Sequence, residues 1–234
     1  MISIVLATYN ERESIVTTVT TLLKEAPEEM EIIVVDDDSP DRTWQVVEAL
    51  ALPQVKVIRR VGTRGLASAF NRGIIESRGD FVGWMDADMS MPPAMIPKMY
   101  RMLVGQGYDI VIASRYAPGG VDDRHRLRTL SSRLINGFAG VVLGHGIKDY
   151  DSGFVLIRRS VLDSVSIHPR GYGEYFIEFI YNACRKGLRV GEIGYYFRDR
   201  TVGVSKSAPS LIRFFRTGLQ YVIRILVARF RRID

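Results

Sequence analysis

Two aspartates one residue apart, Asp86 and Asp88, close the apolar run Phe81-Val82-Gly83-Trp84-Met85. In an extended chain, side chains at i and i+2 point to the same side. The two carboxylates would then lie together and repel, a costly arrangement unless something positive sits between them. A divalent cation would serve, and Mg²⁺ and Mn²⁺ favour carboxylate and phosphate oxygens. The segment fits a second reading equally well. It could be a solvated loop in which Asp88 or Ser90 caps a helix starting after Pro92-Pro93.

Basic residues are the other chemical resource. The 234 residues carry a formal net charge of +6. That balance favours an anionic partner: a phosphate-rich substrate, a membrane surface or a nucleic acid. Arg115, Arg128, Arg200 and Lys206 stand beside polar turns, where they could gather around phosphates. His125, His145 and His168 are scattered and read as surface residues. Cys184 is the only cysteine. It allows no internal disulfide and no cysteine-rich zinc motif, and it suits a reducing compartment. No Gly-x-Gly-x-x-Gly follows the first apolar run and no P-loop is present, so those nucleotide sites lack support.

The elements that must position these residues alternate along the first half of the chain. Apolar runs at Ile2–Ala7, Glu31–Val35, Val55–Ile58, Asp80–Met85 and Asp109–Ala113 read as strands. Segments at Glu11–Lys24, Asp41–Ala51, Leu66–Ser77 and after Pro92-Pro93 read as helices. The alternation predicts an α/β fold with a mostly parallel sheet and helices on both faces. Ligands of such sheets bind at the carboxyl ends of the strands. Thr8-Tyr9-Asn10-Glu11, Asp36-Asp37-Asp38-Ser39, Asp86-Ala87-Asp88 and Ser114-Arg115-Tyr116 all fall at such ends. The second half predicts helices over Arg124–Leu143, Gly173–Lys186 and Leu211–Arg232, a polar turn at Asp149–Phe154 leading into a strand, and one strand over Arg189–Phe197. A polar loop would span Arg198–Ser207.

This ordered set resembles glycosyltransferase family 2, of Rossmann-like GT-A fold, and within it the dolichol- or polyprenol-phosphate mannose synthases. It runs through Ala7-Thr8-Tyr9-Asn10-Glu11, Val35-Asp36-Asp37-Asp38-Ser39-Pro40-Asp41, Gly65–Phe70, Gly79-Asp80 and Met85-Asp86-Ala87-Asp88. It continues with Ser114-Arg115-Tyr116, Gly119-Gly120, Asp151-Ser152-Gly153-Phe154, Asp199-Arg200 and Val204-Ser205-Lys206. The resemblance implies that Ala7, Tyr9, Glu11 and Asp36 hold the base and ribose of a nucleotide-sugar donor. It implies that Asp86 and Asp88, with Ser90 as a third metal-site residue, bind Mg²⁺ or Mn²⁺ at the donor diphosphate. Arg115, Arg128 and Ser132 would hold the phosphate of a polyprenyl or dolichyl monophosphate acceptor, and Arg200 and Lys206 would close over the diphosphate. Asp88, Arg115, Arg128 and Ser132 are thus the expected catalytic group. The product of a single inverting displacement would be a lipid-phosphate sugar, with mannose from GDP-mannose as the leading donor.

Some positions depart from the family pattern. Ala7 stands where relatives often have proline, and Met91 where many have histidine. Ser90 is a weaker ligand than glutamine, and the segment Gly171–Glu178 fits the acceptor-side pattern with one extra residue. The Gln-x-x-Arg-Trp signature of processive synthases is absent.

Two units are expected: a GT-A domain over 1–207, and an amphipathic segment over 208–234 that mixes large apolar residues with arginines. The segment reads either as a helix packed on the domain or, as favoured here, as an interfacial helix with its apolar face in lipid. No signal peptide and no run of roughly 18 apolar residues is apparent. The expected place is therefore the cytoplasmic face of a membrane, peripherally bound. Three alternatives remain: the same fold with another donor (UDP-glucose, a UDP-amino sugar) or a non-lipid acceptor, a polyanion-binding module, and a catalytically idle scaffold. Nucleic acid is not an expected partner, because acidic strand edges would repel its backbone.

Overall fold

The computed structural model describes residues 1–169, 173–198 and 211–231. Strands and helices alternate through the first half: β1 (Ile2–Thr8), α1 (Arg12–Glu25), β2 (Met30–Asp36), α2 (Thr43–Glu48), β3 (Val55–Arg59), α3 (Leu66–Glu76), β4 (Phe81–Asp86), α4 (Ile96–Gln106) and β5 (Ile110–Ser114). Then follow β6 (Val121–Asp123), α5 (Arg126–Leu143), β7 (Val155–Arg158), α6 (Glu174–Arg185), β8 (Val190–Gly194), β9 (Tyr196–Arg198) and α7 (Leu211–Phe230). A central sheet has the order β3-β2-β1-β4-β7-β5-β8, and β6 pairs with β9 in a small separate sheet.

The strands are apolar on both faces because helices cover both. Ile4, Leu6, Ile32, Val34 and Met85 pack with Ile15, Val19 and Leu22 of α1 and Met99 and Leu103 of α4. Their neighbours Val5, Ile33, Val35 and Trp84 face the other way, toward Phe70 of α3, Ala139 of α5, Phe176 of α6 and Ile225 of α7. Alternate residues thus feed two cores, as the two-residue strand period requires. Each large buried side chain contributes about 1.5–3 kcal/mol from its removal from water. On the second face α3 lies very close to the sheet. A Cβ at Gly73 would stand 2.2 Å from Cγ1 of Val5, so only glycine fits there.

β7 is the one antiparallel member of the central sheet, inserted between β4 and β5. Val155, its first residue, lies opposite both Trp84 and Ile112. The turn before β7 therefore enters the sheet at the carboxyl ends of β4 and β5. A reversed strand brings its leading turn, rather than its trailing one, to that edge.

Three predicted elements differ from those observed. The helix expected over Asp41–Ala51 is shortened to α2, Thr43–Glu48. The strand expected over Arg189–Phe197 is divided into β8 and β9, which belong to different sheets. The break falls at Tyr195, which is buried and donates its N–H to the carbonyl of Ser114. The C-terminal segment does not stand apart. Tyr221, Ile225 and Ala228 of α7 are buried in the main core, against α5 and α6.

Candidate active site

Register places the polar clusters side by side. Thr8 lies opposite Asp36, and Ala7 lies opposite Asp86 across the other flank of β1. The loops after β1 and β2 are laced together. Asp36 is fully buried, and its carboxylate accepts from Thr8 Oγ1 at 2.7 Å, Ser39 N–H at 2.8 Å and Ser39 Oγ at 2.6 Å. Ser39 Oγ in turn accepts the Asn10 N–H at 3.0 Å, and Thr43 Oγ1 accepts the Glu11 N–H at 3.0 Å. Asp36 thereby braces the two loops from within. Tyr9 and Glu11 are half-buried beside it. The Arg64 guanidinium lies over the Tyr9 ring at 4.2 Å, a cation–π contact.

Asp37 and Arg60 hold the next loop. Arg60 Nε donates to Asp37 Oδ1 at 2.7 Å, and the Gly65 N–H donates to Asp37 Oδ2 at 2.8 Å. The start of α3 is thereby tied to the end of β2. Backbone strain collects on this same edge. Asn10, Asp38 and Met89 have positive φ of 55°, 55° and 63°, and they follow β1, β2 and β4. Non-glycine residues in this region persist only where their surroundings hold them.

The turn after β4 is held from three sides. The Ala87 carbonyl accepts Thr18 Oγ1 of α1 at 2.9 Å. The thioether of Met91, a buried residue, accepts the Asp86 N–H at 3.3 Å. Ser90 donates twice to Asp88 Oδ1, from its N–H at 3.0 Å and its hydroxyl at 2.6 Å. Ser90 was expected as a third metal-site residue. Its hydroxyl proton goes to Asp88 and fixes the orientation of that carboxylate. The cap reading of Asp88 and Ser90 is not realised: Pro92 occupies the N-cap of the short 3-10 turn Pro93–Met95 that precedes α4, and no side chain caps it.

Arg115 follows β5 and is 4% exposed. Asp149 accepts from its backbone N–H at 2.8 Å, from Nε at 2.9 Å and from Nη2 at 2.6 Å. Nη2 also donates to the Asp151 carbonyl at 2.9 Å. Burial opposes the guanidinium charge, but Asp149 outweighs this and lifts its pKa above the ordinary value. Its main partner among the described residues is thus a protein carboxylate, Asp149. Glu192 of β8 completes the frame by accepting the N–H groups of Lys148 and Asp149 at 2.8 and 3.0 Å. Burial pushes Glu192 up from its ordinary pKa.

An edge of Arg115 still reaches a cavity of about 510 Å³, bordered by Tyr116, Arg133, Asn136 and Lys148. Asn136 is buried, and its Oδ1 has no hydrogen-bond partner among the described residues. Arg128 and Ser132 lie one turn apart on α5, so they share a face. Ser132 is buried beside the Tyr116 hydroxyl. From α5, Arg133 and Asn136 line the cavity with Arg115, while Ser132 lies by Tyr116. Arg200 and Lys206 fall outside the described residues.

Residues 3–166 match the family described as glycosyl transferase family 2. The chain belongs to that family. It is 38% identical over 211 residues to the dolichol-phosphate mannosyltransferase of Pyrococcus furiosus, a match covering 88% of this chain and 58% of that protein. It is 33% identical over 220 residues to the polyprenol monophosphomannose synthase of Mycolicibacterium smegmatis, covering 90% of this chain and 82% of that one. Among solved structures it resembles glucosyl-3-phosphoglycerate synthase from Mycobacterium tuberculosis, in complex with Mn²⁺, UDP and glucosyl-3-phosphoglycerate. That likeness has a TM-score of 0.74 at 21% identity and covers 100% of this chain and 81% of that one. The architecture is accordingly the GT-A fold.

The contacts give weight to residues to which the sequence analysis assigned no role: Asp37, Arg60, Arg64 and Asp149. Asp149 stood in the same polar turn as Asp151, but nothing local shows that its partner is Arg115, 34 positions away. Among the described residues no group of three or more His, Cys, Asp or Glu could hold a metal ion. The expected donor set is the pair Asp86 and Asp88, hard oxygens from two carboxylates. That set suits Mg²⁺ or Mn²⁺, which keep several positions for water and phosphate oxygens.

Proposed function

We propose that this protein transfers a sugar, mannose from GDP-mannose, to a polyprenyl or dolichyl monophosphate with inversion at the anomeric carbon. The observation that carries this reading is a juxtaposition. The Asp86/Asp88 pair lies on the same sheet edge as a cleft rimmed by Arg115 and α5. The names borne by the two relatives support mannose as the sugar and a dolichyl or polyprenyl phosphate as the acceptor. Asp86 and Asp88 would hold Mg²⁺ or Mn²⁺, whose charge would stabilise the departing nucleoside diphosphate. The chain's own residues orient and shield. Ser90 and Thr18 fix the acidic turn. Arg128, Ser132 and the accessible edge of Arg115 face the acceptor phosphate. A phosphate monoester is already largely ionised at neutral pH, so its oxygen can attack without a strong general base. Positioning and preorganised charge then account for the rate.

The surface agrees with a lipid substrate. Leu127, Leu130, Leu134, Phe138 and Val141 form an exposed stripe on α5, and Leu219, Ile223, Leu226, Val227 and Phe230 form another on α7. The two helices pack together, and neither contains an aspartate or glutamate, while both contain arginines. An apolar face of this kind, on helices whose own charged side chains are all arginines, fits the anionic surface of a bilayer. The proposed interfacial surface then includes α5 as well as the C-terminal helix. Among the described residues no helix is long and apolar enough to cross a membrane.

The test is a donor panel. The protein is incubated with Mn²⁺, a short polyprenyl phosphate and, in turn, GDP-mannose, UDP-glucose and UDP-N-acetylglucosamine, and the lipid product is followed by mass. Product from GDP-mannose alone, lost in Asp88→Ala, is expected. Product from another donor would retain the reaction and replace the sugar. No product from any donor would overturn the proposal.

A further inference from the structure

The buried face of α7 reaches the acceptor side of the cleft. Tyr221 is 7% exposed, and its hydroxyl lies beside the carboxylate of Asp151, both of them facing the backbone of Gly173. Asp151 is the residue whose carbonyl accepts Arg115 Nη2, and its own Oδ2 lies 3.5 Å from that same nitrogen. The fit around Tyr221 is tight. A Cβ on Gly173, at the N-cap of α6, would stand 2.0 Å from the Tyr221 hydroxyl and 3.1 Å from Asp151 Oδ1. The helix that carries Tyr221 is also clamped. Glu178 of α6, itself buried, accepts from Arg224 at 3.1 Å and from Arg231 at 2.6 Å. Ile225 and Ala228 are buried on the same side.

We propose that Tyr221 is a positioning residue for the acceptor, acting through Asp151 on Arg115. The inference rests on the lipid-phosphate acceptor proposed above. Asp149 and Asp151 grip the guanidinium from two directions, and the Tyr221 hydroxyl sets where the second grip lies. The helix whose outer face is apolar thus has its inner face on the pair that orients Arg115. Seating that helix and shaping the acceptor side are one structural event. The donor side at Asp36, Asp86 and Asp88 belongs to other elements and is outside this linkage.

The experiment compares wild type with Tyr221→Phe, which keeps the ring in the core and removes only the hydroxyl. Asp151→Asn and the double variant complete a cycle. Steady-state kinetics are measured separately for a short polyprenyl phosphate and for the donor, beside the melting temperature and Mn²⁺-dependent nucleotide binding. Tyr221→Phe is expected to lower kcat/KM for the acceptor about tenfold, the scale of one hydrogen bond to a charged group. Donor KM and nucleotide binding stay at wild-type values, and the melting temperature falls by only a few degrees. The double variant should fall no further than Asp151→Asn alone, because both act through one contact. Unchanged acceptor kinetics in Tyr221→Phe, additive losses, or equal losses for donor and acceptor with a lowered melting temperature would each overturn the inference. A wild-type protein that makes no lipid product would overturn the proposed reaction and the inference with it; wild-type turnover with a silent Tyr221→Phe overturns the inference alone.

Discussion

Replacing Asp149 with asparagine should cost more stability than almost any other isosteric change in this chain. Asp149 is fully buried, and its carboxylate accepts the backbone N–H, Nε and Nη2 of Arg115, itself 4% exposed. Asparagine preserves the shape and one carbonyl acceptor, but it leaves the guanidinium without its counter-charge. Breaking a buried pair from one side costs about 3–5 kcal/mol, a large share of the roughly 5–15 kcal/mol that holds a typical domain together. With a urea slope of about 2–3 kcal/mol per M for a domain of this size, the unfolding midpoint should drop by about 1.5 M. The assay is equilibrium urea unfolding followed by tryptophan fluorescence, since Trp84 is buried in the central sheet. The double variant Arg115→Met/Asp149→Leu removes both charges and should be no less stable than Asp149→Asn. A midpoint shift under about 0.4 M for Asp149→Asn, or a double variant that loses the sum of both single changes, would refute the reasoning.

Further outcomes follow from the same structure. Ser90→Ala removes the 2.6 Å hydroxyl bond to Asp88 but leaves the N–H bond, so turnover should fall about tenfold, whereas Asp88→Ala should abolish it together with Mn²⁺-dependent nucleotide binding in calorimetry. Gly73→Ala places a methyl 2.2 Å from Val5 Cγ1 and should destabilise the fold by about 1–3 kcal/mol, read as a lowered urea midpoint with unchanged slope. Asp122 is partly desolvated, yet Arg124 and Tyr116 hold its carboxyl down from 3.8 to about 2. A depressed carboxylate stabilises the fold above its unfolded pKa and loses that contribution as pH falls through its folded one. Asp122→Asn should therefore be less stable than wild type at pH 7, with the gap closing as pH falls from 3.8 to about 2; a constant gap down to pH 2 would contradict the assignment.

The first half of the fold was legible because local pattern and global role coincide there. The runs ending at Thr8, Asp36, Asp86 and Ser114 are apolar enough to be buried strands, and each ends in polar residues. In a parallel sheet that ending fixes the edge on which those residues lie. The acidic pair could be read for the same reason, since its spacing is a property of three consecutive residues. The second half yielded less. Nothing in Val155–Arg158 states that it runs antiparallel between β4 and β5, because strand direction is a property of the sheet. The C-terminal helix was read as lipid-facing, and five of its described apolar residues are exposed. Tyr221, Ile225 and Ala228 are nevertheless buried against α5 and α6. Both readings described one helix with two apolar faces, and composition alone cannot separate them.

By itself the sequence determined the alternation of strands and helices, the edge that carries the chemistry, and the residue types that suit a divalent cation and phosphates. Only the tertiary structure decided what each polar group is engaged with. Asp36 braces Thr8 and Ser39, Ser90 orients Asp88, and Arg115 is held by Asp149. The physical reason is that a charge or hydroxyl is satisfied by whichever partner packing brings within about 3 Å. For Arg115 that partner comes from a turn 34 residues away, delivered by a strand whose direction no local pattern encodes.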